Sequence, residues 1–152
     1  MIDTSAGLFT VGVFQDAAWA EKGIQALKAQ NFPAEALSLI AKDSPEVAAL
    51  AERTFAGAVP TLDVRGLGSV RARGPLVDAL QGSDQQLTRQ GLAATARRVG
   101  FQTHDGRIFE TLTSRGGVLV AISSEARASD ALAILHSYGG GNAAIGAWHG
   151  RV

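Results

Sequence analysis

Residues 8–14 read LFTVGVF and residues 117–123 read GVLVAIS. Both runs are rich in the β-branched and large apolar side chains that favour strands. The segment downstream of each run decides the fold. After the first, Asp16 stands where a helix N-cap belongs, and Ala17, Ala20, Ile24 and Leu27 recur along one helical face. Asn31-Phe32-Pro33 stops that helix, and Ala36 to Ala41 (ALSLIA) reads as a second strand. After the second run, Ser124 is the N-cap, and Ala128, Leu132 and Leu135 form the stripe. Gly139-Gly140-Gly141 ends that helix, and Ala143 to Trp148 (AAIGAW) closes as a strand. The two ends match without a gap at a constant offset of 108. Val11 falls on Leu119, Asp16 on Ser124, Ala20 on Ala128, Ile24 on Leu132, Leu27 on Leu135 and Leu37 on Ile145.

This is an internal repeat of strand-helix-strand, over 8–41 and 117–148. One such unit cannot cover its own sheet. Two can interleave into a four-stranded antiparallel sheet with both helices on one face. The fold predicted is therefore α+β, a ferredoxin-like split βαβ sandwich with a mostly helical insert at about 43–116. The opposite sheet face is expected to be open unless something covers it. The insert lacks linker composition and is expected to pack on the sheet within a single domain spanning 1–152.

Inside the insert, Ser44-Pro45-Glu46 starts a helix carrying Val47, Leu50, Ala51, Thr54 and Phe55. Thr61 to Arg73 is extended, interrupted by Gly66-Leu67-Gly68. Gly74-Pro75 turns the chain into a short helix at Leu76 to Leu80. Ser83 is placed to cap a helix with Leu87, Leu92 and Ala94 to Val99, and Asp105 to open one with Ile108, Phe109 and Leu112 inward.

With 152 residues, 46% apolar and 18% charged, the chain suits one ordinary domain rather than disorder. Lys plus Arg equals Asp plus Glu at 14 each, so neither nucleic acid nor membrane is an expected partner. The absence of cysteine excludes disulfides and thiolate chemistry, and fits a cytoplasmic setting. Met1 to Ala6 lacks the features of a signal peptide, and Val118 to Ile122 is too short to span a bilayer. His104, His136 and His149 have neither HExxH nor triad spacing, no GxSxG occurs, and Gly139 to Gly141 comes after a helix instead of preceding one. No catalytic residue, metal or cofactor is expected.

The charge is unevenly distributed. Residues 1–64 hold four basic and eight acidic side chains, and residues 65–115 hold eight arginines and four acids. Arg65, Arg71 and Arg73 share parity, so a regular strand puts them on one face. Arginine suits bidentate contact with phosphate or carboxylate, which makes these three a candidate site for a small anionic metabolite. The plainer reading is that they are solvated or form ion pairs, within the molecule or to a second subunit, and glycines 66 and 68 are placed to break the register.

Three pieces in order resemble the bacterial heat-induced general stress protein family (YflT-type domains). They are Val11 to Phe14 running through Ala20-Glu21 to Leu27, Gly66 to Leu76 (GLGSVRARGPL), and Phe109-Glu110 leading to Arg115-Gly116-Gly117-Val118-Leu119-Val120. The chain departs from the pattern in two places. Only Phe55-Ala56-Gly57-Ala58-Val59 stands where relatives carry a long Gly/Ala-rich run, and Phe109 replaces a common Tyr. The resemblance implies a role in stress responses and brings no catalytic residues. The expectation is a non-enzymatic interaction module that self-associates, an open sheet face and edge strands favouring a homodimer, with an unknown protein partner also allowed. A sensor for an anionic metabolite is the alternative.

Overall fold

The computed structural model describes residues 9–55, 59–123, 128–140 and 145–147. The strands are β1 (Phe9–Phe14), β2 (Leu37–Lys42), β3 (Thr61–Val64), β4 (Gly68–Arg73), β5 (Val118–Ser123) and β6 (Ile145–Ala147). The helices among the described residues are α1 (Ala17–Ala29), α2 (Pro45–Thr54), α3 (Pro75–Gln81), α4 (Gln86–Gln90), α5 (Leu92–Thr95), α6 (Thr103–Ser114) and α7 (Ala128–Leu135). The strands form one antiparallel sheet in the order β3-β4-β2-β5-β1, with the three-residue β6 on the far edge of β1. The two ends of the chain therefore share a sheet, and β5 of the second unit lies between β1 and β2 of the first.

Strand alternation sorts the core into two halves. Phe14, Leu37, Leu39, Ala41, Val118, Val120 and Ile122 face α1, α2 and α7. Phe9, Val11, Val13, Ile40, Val70, Ala72, Leu119 and Ala121 face α3 through α6. The register agrees, since Val11 is opposite Ala121 and Val13 opposite Leu119. The insert thus packs on the sheet and covers the face that the two repeats alone would leave open, because that face is as apolar as the other and must be removed from water. The open-face route to a homodimer falls with it. α2, although part of the insert, packs on the opposite side beside α1 through Val47, Leu50 and Ala51.

Local chemistry accounts for most boundaries. Asp16 accepts from the Trp19 N–H at 2.9 Å, and the Ser44 hydroxyl accepts from the Val47 N–H at 3.1 Å. The expected helix from Ser83 is instead broken into α4, α5 and short 3-10 turns. Gln85 (φ 57°) and Gly91 (φ 96°) take left-handed backbone there, and Ser83 caps nothing. α6 begins two residues before Asp105, which lies buried in its first turn, while Ile108 and Leu112 are only half-buried. Among the described side chains of α7, which leave out Ala128, Ala131 and Leu135 are buried and Leu132 is half-buried, because α7 covers β1 and the edge strand β6 rather than the sheet centre. A π-helical turn, His136–Gly140, comes after α7. Ser124, Gly141 and Trp148 lie outside the described residues.

Candidate functional site

β4 keeps its alternation, so Arg71 and Arg73 emerge on the α1/α2 side of the sheet while Val70 and Ala72 enter the opposite core. Arg65 does not join them. It lies in the turn between β3 and β4, exposed, with its N–H donating to the Thr88 carbonyl at 3.1 Å. Gly66 (φ 87°) is what breaks the register.

Both remaining guanidiniums have structural partners. Arg71 donates from Nε to Asp43 Oδ1 at 2.9 Å and from Nη1 to the Val59 carbonyl at 2.9 Å. Arg73 donates to the Ala34 carbonyl at 3.1 Å and lies 4.3 Å from the centre of the Phe55 ring. Burial pushes the Arg73 guanidinium below its ordinary value, opposed by the charges of Glu35 and Asp78. Lys28 approaches the same ring at 5.7 Å and donates to the Thr54 carbonyl at the C-terminal end of α2, where a cation is favoured. These cations hold the segment leaving α2 against the sheet. Arg71 thus meets a carboxylate and a carbonyl, and Arg73 and Lys28 each meet a carbonyl and the Phe55 face.

The other residues of the Gly66 to Leu76 stretch also have architectural duties. Gly74 (φ 106°) leaves room that a Cβ would close, 2.4 Å from the Leu37 carbonyl oxygen. The Ser38 hydroxyl then accepts from the Leu76 N–H at 2.9 Å and so caps α3 from β2. Glu110 reaches from α6 to accept from the Ala93 N–H at 3.1 Å, beside Gly91 and Gly66. Neither Ser38 nor Glu110 is singled out by sequence spacing, because both act across the fold.

Three open grooves lie on the outer helices among the described residues. One groove of about 620 Å³ runs along α1 and Tyr138 past Ala18, Glu21, Lys22, Gln25 and Ala26. A second, of about 460 Å³, continues from Ala26 and Tyr138 toward Asp130 and Ile134. On the opposite side, a groove of about 260 Å³ runs along α6 past His104, Arg107, Ile108, Thr111 and Leu112. Among the described residues no group of three His, Cys, Asp or Glu side chains is placed to hold a metal ion, and no helix is long and apolar enough to cross a membrane.

The chain is thus an α+β protein on one antiparallel sheet. Its sequence matches no protein-family model, no curated protein and no solved structure in the comparisons made.

Proposed function

We propose that this protein is a non-enzymatic interaction module that works through its outer helical surfaces, self-associating in a stress-associated role. Its architecture is read as a ferredoxin-like split βαβ sandwich, formed by β1-α1-β2 and β5-α7-β6 and widened by β3, β4 and the helices of the insert. The alternation of β2, β5, β1 and β6 across the sheet supports that topology. The stress role rests on the resemblance of the Gly66 to Leu76 and Phe109 to Val120 stretches.

One observation carries the functional reading: the partly buried charged side chains beside the sheet and insert are engaged in the architecture, while further charge lies exposed on the outer helices. Arg71, Arg73, Ser38 and Glu110 are engaged with carbonyls, N–H groups or a carboxylate of the molecule itself. Exposed Glu46 and Glu52 lie on one helical layer, and exposed Arg97, Arg107 and Arg115 lie on the other. Charge arranged in this way steers and selects partners.

The test compares the protein with its Arg65→Gln/Arg71→Gln/Arg73→Gln variant by light scattering and by thermal melts with and without phosphate. The reading expects concentration-dependent association of the unaltered protein, a lower melting temperature in the variant and no response to phosphate in either. Stabilisation by phosphate that disappears in the variant would replace this reading with the anionic-metabolite sensor.

A further inference from the structure

We infer that copies of this chain associate head to tail, the outward face of α6 on one copy against the outward face of α2 on the next. The inference rests on the self-association proposed above and specifies its surfaces.

His104, Arg107, Thr111 and Arg115 are spaced so that a helix aligns them in one stripe, and all four are exposed. Asp105, Phe109 and Thr113 occupy the opposite, buried stripe. Ile108 and Leu112 line the groove beside the arginine rim. Arg107, Arg115 and exposed Arg97 have no carboxylate within ion-pairing distance among the described residues. Lys42 donates to the Ser114 carbonyl at 3.4 Å and adds a further cation at the same end of α6. The acids of α6 do not offset this rim, because Asp105 is buried and Glu110 is turned onto Ala93.

α2 has the opposite character. Glu46 and Glu52 are exposed and have no ion-pair partner among the described residues. The neighbouring exposed cation, Arg53, is held by Glu21, with Nη2 to Oε1 at 2.7 Å, and offsets the charge of Glu52 only at longer range. On the exposed face between the two acids Ala49 is small and half-buried, which allows close approach. At the helical rise, Glu46 and Glu52 are about 9 Å apart along the axis and about 120° apart around it, so they flank the exposed face of α2 on either side. α2 and α6 lie on opposite faces of the sheet, so one copy cannot satisfy both. The contact is heterologous and propagates beyond a dimer unless its rotation closes a ring.

The experiment uses sedimentation velocity on the full chain, an Arg107→Glu/Arg115→Glu variant, a Glu46→Lys/Glu52→Lys variant and their equimolar mixture, with folding checked by circular dichroism. The unaltered protein is expected to associate, with affinity falling roughly tenfold or more as salt rises from about 0.05 to about 0.5 M and the screening length shortens. Each variant alone, now carrying one sign on both faces, is expected to remain monomeric, and the mixture to associate again. Variants that associate as well as the unaltered protein would place self-association on another surface, overturning the inference and leaving the proposed function standing. An unaltered protein that stays monomeric would overturn both. Binding of a short DNA duplex by such a monomer, lost in Arg107→Glu/Arg115→Glu, would assign the basic face to a polyanion instead. Should either variant fail to fold, the salt titration decides alone, and association indifferent to salt overturns the inference.

Discussion

Glu110 shows how a single side chain can tie two distant segments together, the β3–β4 turn and the junction of α4 and α5. Its carboxylate caps α5 through the Ala93 N–H and lies against Gly91 and Gly66. Glu110→Ala should cost about 1–2 kcal/mol in urea unfolding, the range for losing a helix cap, and Glu110→Gln, which keeps an acceptor, should cost less. Gly74 is a more stringent case. A methyl at φ 106° collides with the Leu37 carbonyl oxygen, so Gly74→Ala should lose more than about 2 kcal/mol by the same measurement. The Glu21–Arg53 pair gives a pH dependence. Hydrogen bonding from Arg53, opposed by burial, holds the Glu21 carboxyl below its ordinary value. A depressed carboxyl stabilises the fold above the ordinary carboxylate range, and that contribution is lost as pH falls through the lowered value. Arg53→Gln should therefore reduce the melting temperature slightly at neutral pH and leave it unchanged in strong acid. The effect is small because the pair is exposed to solvent.

At the scale of elements, local signals are legible in the sequence and long-range ones are not. Asp16 and Ser44 announce α1 and α2 because an N-cap acts within three residues of itself. The strand alternation of Arg71 and Arg73 is equally visible. The break at Gly91 is not, since the cap that compensates for it comes from Glu110 on another helix. The buried stripe of α7 differs from the expected one for a related reason. The offset of 108 carries over the helix but not its position at the sheet edge, so Leu132 does not share the burial of Ile24. Ile24→Ala and Leu135→Ala should each cost on the order of 2–5 kcal/mol, the range for emptying a core site. Leu132→Ala should cost roughly half as much or less, in proportion to the apolar area it hides. Equal losses at Leu132 and Ile24 in chemical unfolding would contradict the assigned face.

At the scale of the whole molecule, the two ends meet in one sheet because neither strand-helix-strand unit can bury its apolar surface alone. The insert then closes the second face, which the repeat by itself leaves open because it contains nothing to cover it. The candidate site is legible only in part. The excess of arginine between residues 65 and 115 is plain, but which arginines the fold engages is not. Arg71 and Arg73 face α2 and are taken up by Asp43, Val59, Ala34 and Phe55, whereas Arg107 and Arg115 remain on an exposed face. The function argued from this arrangement is association through surfaces. Its most direct measurement is the weight-average mass of the full chain by sedimentation equilibrium across a wide concentration range. The account predicts a mass that rises continuously past that of a dimer at low salt and falls back when salt is added; a mass fixed at one chain under every condition would contradict it.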